Sequence, residues 1–343
     1  MLVPYPARGH VAPMLAVAAE LVARGEPVSV VVGPQFGAAV HAIGARLVTP
    51  AVSHVVRSDP RWRLSAAAQR SGQAVKRRAV ALATIRACEI ELARRRPSIA
   101  VIDPHTWWAR RLSLPSDTQV AWLWSTVSRW AVGRIPVLIN GLPELLTRSR
   151  SRGGRVRFVG PLLGAMTTAD PGLPWDILCE RSVLVVSPGT VFIPSIAQLR
   201  KLAQAFADSD WIVVMATGGI ASDVLGPLPD NVLAYPWIPQ ARVLAHAQAF
   251  VSHGGMNSLL EAVTCGVPVL FRPQIREQRR TAARAVQLGI GHWLHPWMNV
   301  RDQVERLVND NAVVHRLQSL GEDAMGVRAV AEAADRLLEL ADA

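Results

Sequence analysis

Between Val251 and Gly289 the chain reads VSHGGMNSLLEAVTCGVPVLFRPQIREQRRTAARAVQLG, and the opening residues have the makings of an anion site. An apolar run over residues 247–252 is predicted to be a strand; it leads into His253-Gly254-Gly255, and a helix is expected to open at Met256-Asn257-Ser258. Two glycines at such a turn let backbone approach a ligand closely, and the unpaired N–H groups of a first helical turn attract phosphate. The imidazole of His253 and the small polar side chains at the same end add hydrogen-bonding capacity. Glu261 stands one turn further in, where a carboxylate can take the hydroxyls of a ribose. The chemistry indicated is that of a nucleoside diphosphate site. No Walker lysine follows the glycines and no GxGxxG is present, so a kinase-type or NAD-type loop fits poorly.

The elements that would position this turn form a simple alternation. Short β-branched runs over residues 2–4, 28–32, 99–102, 120–124 and 136–139 alternate with helical patterns over 12–24, 36–43 and 65–96. A second series has strands expected over 183–187, 211–216, 232–235, 249–252 and 267–271, with helices over 196–207, 241–245, 256–264 and 277–288. Strands alternating with helices imply parallel sheets, so the fold class is α/β with two doubly wound domains in series. At 343 residues the chain suits two domains of roughly 150 residues each. The boundaries expected are 1–147 for the first and 155–325 for the second, joined by the Gly- and Arg-rich piece 147–155. A final helix within 326–343 is expected to pack back onto the first domain. Ligands of such sheets bind beyond the carboxyl ends of the strands, so two facing domains would enclose a cleft.

Composition narrows the partners. All but two of the 37 basic residues are arginine, and they are scattered apart from 94–96 and 148–157, so the net charge of +11 reads as a solvated face or an acidic ligand. No nucleic-acid-binding module surrounds them, and nucleic acid is not expected as a partner. No apolar run approaches the roughly 20 residues needed to cross a bilayer. The start, MLVPYPARGH, lacks the features of a signal peptide. Cys88, Cys179 and Cys265 lie far apart without pairing or metal spacing, which suits a reduced cytoplasm. His41, His54, His105, His292 and His295 show no zinc spacing either. Asp208-Ser209-Asp210 spells a DxD, but it falls between a helix and a strand and is read as a turn.

Several motifs, taken together and in order, resemble family 1 glycosyltransferases, the UDP-glycosyltransferase relatives of GT-B fold, and most nearly the bacterial antibiotic and macrolide enzymes. They are Gly9-His10-Val11-Ala12-Pro13 near the start, Phe158-Val159-Gly160-Pro161, Ser187-Pro188-Gly189-Thr190 and Trp237-Ile238-Pro239-Gln240. His253-Gly254-Gly255-Met256-Asn257-Ser258, Glu261 and Glu277-Gln278 complete the set. The resemblance implies that Trp237 stacks on the nucleotide base, with Gln240 near base and ribose. It implies that His253, Gly255, Asn257 and Ser258 hold the diphosphate, with Thr190 on the β-phosphate and Glu261 on the ribose. Glu277 and Gln278 would hydrogen-bond the sugar. His10 would be the general base and Asp103, at the end of a strand as in the family, its partner. The position of His10 at the opening of the first helix favours a neutral imidazole able to accept a proton.

The activity so implied is an inverting, metal-independent transfer of a sugar from a UDP- or dTDP-sugar to a hydroxyl of a small natural product. The nucleotide sugar is a co-substrate, and no cofactor or metal is expected. The partners expected are that donor and a small hydrophobic or aromatic acceptor, with the chain a monomer or homodimer. Alternatives are an envelope-type GT-B enzyme with a lipid-linked acceptor and a non-catalytic nucleotide-sugar-binding or auxiliary homologue. The first domain is short by tens of residues between Trp124 and Ile135, and Arg276 replaces a small residue of the family. Thr281 replaces a common Asn and is assigned no role.

Overall fold

The computed structural model describes residues 1–51, 66–125, 134–145, 155–164, 170–189, 195–326 and 328–343, with the side chains of 66–77 and a few others left out. In the first half, β1 (Leu2–Val3), α1 (Arg8–Ala23), β2 (Ser29–Val31), α2 (Gly37–Ala42), β3 (Arg46–Val48) and α3 (Ala66–Arg95) come in order. They are followed by β4 (Ile99–Ile102), β5 (Gln119–Trp124), β6 (Val137–Ile139) and β7 (Val156–Phe158). These strands form one parallel sheet in the order β3-β2-β1-β4-β5-β6-β7.

The second half contributes α4 (Trp175–Glu180), β8 (Ser182–Ser187), α5 (Ile196–Gln204), β9 (Trp211–Ala216), β10 (Val232–Tyr235), α6 (Gln240–Leu244) and β11 (Ala249–Ser252). Then come α7 (Met256–Thr264), β12 (Val269–Phe271), α8 (Arg276–Gln287), β13 (Gly291–Trp293), α9 (Val300–Val308), α10 (Asn311–Gly326) and α11 (Ala329–Ala341). Its sheet, also parallel, has the order β10-β9-β8-β11-β12-β13.

The central strands are buried on both faces, and their sequences show it. In β8 the residues Val183 to Val186 are all buried, as is every residue of β9. Continuous apolar runs of this kind are what helices covering both faces of a parallel sheet require. In the first sheet Val3, Val31 and Ile102 pack with Cys88 and Leu92 of α3 and with Trp108 in one core. Burial there pushes the Cys88 thiol up to about 12.

The chain divides into two compact units, Met1–Leu142 with Ser149–Met166 and Arg328–Ala343, and Pro143–Arg148 with Thr167–Val327. The boundary expected at 147–155 therefore needs correction. β7 hydrogen-bonds to β6 as the last strand of the first sheet, so the first unit runs on through residue 166. The motif at Phe158-Val159-Gly160-Pro161 accordingly belongs to the first unit. The final helix α11 is also part of the first unit: it packs on α1, with Ala333, Ala334 and Leu337 buried. Arg24, just past the end of α1, ion-pairs with Asp335 and donates to the Ala331 carbonyl at 3.2 Å. No described helix is long and apolar enough to cross a membrane.

Candidate active site

Each sheet reverses its winding at one place. In the first it lies between β1 and β4, and in the second between β8 and β11. At such a switch point the loops leaving neighbouring strands run to opposite faces and open a crevice beyond their carboxyl ends. The candidate residues stand there in both units. His10 follows β1 and Asp103 follows β4; Gly189 follows β8 and His253 follows β11.

In the first unit α1 opens at Arg8, earlier than the expected residue 12, which places His10 within the first turn. Its backbone N–H bonds to the Ala7 carbonyl at 2.9 Å. Its ring Nδ1 lies 2.7 Å from Oδ2 of Asp103. Asp103 is held from both sides: its N–H donates to Val3 at 3.0 Å, and its side chain is fully buried. Burial alone would push its carboxyl up. The charge and hydrogen bond of His10, with a further hydrogen bond from His105, outweigh that and bring it down to about 2. A carboxylate on Nδ1 fixes the imidazole tautomer with the Nε2 lone pair available, the arrangement a general base needs.

His105 belongs to this group, although its spacing along the chain marks no metal site. Its backbone N–H donates to Asp103 Oδ1 at 2.8 Å, and its ring Nδ1 lies 3.2 Å from the same oxygen. The His10 and His105 rings meet edge to face with centroids 4.8 Å apart, and Tyr5 packs edge-on to His10 at 5.2 Å. The signal was available only in three dimensions, because His10 and Asp103 are 93 residues apart.

In the second unit the glycines of the turn are explained by what lies against them. A Cβ on Gly255 would stand 2.4 Å from Nε2 of His253, and one on Gly189 would stand 2.7 Å from the same atom. The imidazole thus occupies the space that two side chains would need. Gly254 has φ +82, a left-handed conformation, and a Cβ there would come 3.0 Å from the Gln278 carbonyl. His253 Nδ1 is buried and has no hydrogen-bond partner among the described residues. Desolvation lowers the ring's pKa to about 4, which the Ser187 backbone offsets only in part. The side chain is therefore neutral at pH 7 without ligand, and it can present a polar N–H to a phosphate rather than a standing positive charge.

The rest of the donor set is brought together to different degrees. Gln240 at the start of α6 donates to Ser258 at 3.1 Å and to Glu261 at 2.5 Å, both on α7. Asn257 lies in the first turn of the same helix. Trp237 lies against Gly219, where a Cβ would come 3.1 Å from the indole, and remains partly exposed. Gln278 is buried, and its Oε1 accepts from the Gln274 and Ile275 backbone N–H groups at 2.8 and 3.3 Å. That oxygen is committed to closing the start of α8, so a sugar contact from Gln278 must come from its amide nitrogen. Glu277 beside it is partly exposed. Thr190 lies outside the described residues. Asp208 has φ +56 in the turn between α5 and β9, as the turn reading of the DxD requires. Thr281 donates back to the Glu277 carbonyl within α8 at 3.4 Å, which gives it a local role.

Residues 175–336 match the family model described as UDP-glucoronosyl and UDP-glucosyl transferase. The match takes in nearly all of the second unit and the first turns of α11, so the likeness to that family lies in the second half of the chain. Among curated relatives, the NDP-glycosyltransferase YjiC of Bacillus licheniformis is 32% identical over 188 residues, 53% of this chain and 48% of that protein. The demethyllactenocin mycarosyltransferase of Streptomyces fradiae is 38% identical over 117 residues, 34% of this chain and 25% of that protein. The chain thus matches about half the length, or less, of these curated relatives. The crystal structure of CalG4, the calicheamicin glycosyltransferase, aligns over 99% of this chain and 97% of its own, with 28% identity and a TM-score of 0.79. The glycosyltransferase fold therefore extends over both units, and it is the GT-B architecture.

Proposed function

We propose that the protein is an inverting glycosyltransferase that moves a sugar from a UDP- or dTDP-sugar to a hydroxyl of a small natural product, without a metal. The observation that carries this reading is the His10–Asp103 pair, 2.7 Å apart on a fully buried carboxylate at the switch point of the first sheet. The second unit supports it with a neutral imidazole and a helix N-terminus at the equivalent point of its own sheet.

The acceptor O–H gives its proton to Nε2 of His10, and the oxygen forms its bond to the anomeric carbon on the face opposite the diphosphate. The bond from that carbon to the diphosphate oxygen breaks, and the nucleoside diphosphate leaves with the configuration inverted. Asp103 stabilises the imidazolium that forms, through the hydrogen bond on Nδ1. The negative charge growing on the leaving phosphate is met by His253 and by the N–H groups at the start of α7. Trp237 holds the base, Gln240 and Glu261 the ribose, and Glu277 the sugar.

His10→Ala tests the assignment. Loss of a general base costs about 100- to 10,000-fold in kcat, with the affinity for UDP or dTDP unchanged by calorimetry. Transfer at the wild-type rate refutes the base. Failure of the wild-type chain to bind either nucleotide at millimolar concentration refutes the donor site. Binding without transfer to any acceptor would instead support the auxiliary reading.

A further inference from the structure

Among the described residues, one group of three side chains has its donor atoms close enough to share an ion. It is His10, Asp103 and His105, whose candidate ligand atoms all lie within 4.8 Å of one another. We propose that these three side chains form a site for a divalent transition-metal cation of the zinc class, and that the bound ion shuts off proton transfer at His10. The second half of that statement rests on His10 being the base; the first half does not.

The donor set selects the class of ion. Two imidazoles and one carboxylate suit zinc, nickel or copper, whereas magnesium and calcium call for all-oxygen cages. The geometry lies near what such an ion needs. With metal–ligand bonds of about 2.0–2.2 Å and tetrahedral angles, a nitrogen and an oxygen on one zinc stand about 3.4 Å apart. The two Nδ1-to-carboxylate separations here are 2.7 and 3.2 Å, to different oxygens of Asp103, so they must widen by about 0.7 and about 0.2 Å to admit an ion, within reach of side-chain rotation. The His105 backbone N–H, which donates to Asp103 Oδ1 at 2.8 Å, can stay in place and orient the carboxylate as an outer-shell partner. Asp103 is fully buried while the side chains of His10 and His105 are 14% and 30% exposed, so the imidazole side is the way in.

The consequence for His10 follows from its tautomer. In the hydrogen-bonded state the ring carries its proton on Nδ1, facing Asp103, and Nε2 has the free lone pair. A metal on Nδ1 displaces that proton to Nε2 within the same neutral ring, so no net proton is lost. The nitrogen that should accept the acceptor's proton is then already protonated. The ion and the base are mutually exclusive uses of one imidazole.

The test uses the full chain, stripped with a chelator and then titrated with Co2+, read by its visible d–d absorption, and with Zn2+ by calorimetry. The expected result is one equivalent of metal that His10→Gln and His105→Gln each weaken by at least about 10-fold. A third variant guards against a rival soft site, because Cys179 lies 3.6 Å from His246 Nδ1 elsewhere on the chain. His246→Gln should leave the titration unchanged. A wild-type curve superimposable on that of His105→Gln, or one abolished by His246→Gln, overturns the site. In the rate arm, Zn2+ should inhibit transfer in step with occupancy and a chelator should restore it. For His105→Gln, measured against its own metal-free rate, half-inhibition should move up at least about 10-fold. Stoichiometric binding with no loss of rate would overturn the block on proton transfer and the base assignment, and leave the metal site standing.

Discussion

His253 offers the most searching test of how the donor turn is built. Its ring is squeezed between Gly189 and Gly255 with Nδ1 buried, and desolvation carries its pKa from 6.5 down to about 4. A histidine whose folded pKa lies below its unfolded value stabilises the fold fully above the unfolded value. That contribution is lost as pH falls from 6.5 toward 4. Worked through at pH 5, where the unfolded chain is almost wholly protonated at this ring and the folded one is not, the loss is about 2 kcal/mol relative to pH 7. His253→Gln removes the titration while keeping a polar side chain. Hydrogen exchange of the β11 amides reads the stability of the second unit directly. Between pH 7 and pH 5 the wild type should lose about 2 kcal/mol more than the variant does. In the same protein the ring proton signals should titrate near 4 without nucleotide and move upward when UDP is added, because a nearby phosphate favours the imidazolium. A ring titrating near 6.5 in the ligand-free chain, or parallel pH dependence in the two proteins, refutes the reasoning.

Gly255→Ala should weaken UDP binding by about 10-fold or more, the equivalent of displacing one well-placed donor, because its Cβ would stand 2.4 Å from His253 Nε2. Its φ of −68 suits alanine, so calorimetry should show the loss with the circular dichroism spectrum unchanged. Asp103→Asn should lower kcat at least about 100-fold with nucleotide affinity intact, as steady-state kinetics beside calorimetry would show. The wild-type Asp103 carboxyl, held at about 2 against 3.8, contributes stability that persists above pH 3.8 and disappears as pH falls through 2; stability should therefore fall more steeply with pH in the wild type than in the variant between those values, with parallel curves above them. Leu337→Ala in α11, where the side chain is 1% exposed, should cost the first unit about 2–5 kcal/mol in a denaturation experiment.

What could be read from the sequence follows from how much each segment buries. The strands at the centre of each sheet, such as Trp211–Ala216, are long and apolar enough to be recognised from composition alone. Arg46–Val48, Val156–Phe158 and Gly291–Trp293 are three residues each and carry an arginine or a histidine, so neither length nor alternation marks them. Missing β7 is what set the domain boundary too early. The donor turn was legible because its parts are local: strand, histidine, two glycines and helix within a dozen residues. His10 and Asp103 stand out through motif resemblance, and the structure adds their pairing. His105 escaped because its role depends on a carboxylate shared with a residue from a different strand–helix junction. Spacing along the chain says nothing about that.

The first unit is assembled from three stretches of sequence, and the last of them, which holds α11, comes after the whole of the second unit. During synthesis the second unit thus emerges complete and can fold as a unit while the first still lacks a helix. Until α11 leaves the ribosome, the face of α1 on which it packs stays bare. A chain interrupted even a few residues short of residue 330 would carry a finished donor turn beside an unfinished scaffold for His10. The emergence of α11, rather than the folding of either sheet, sets the earliest moment at which the first unit can be complete.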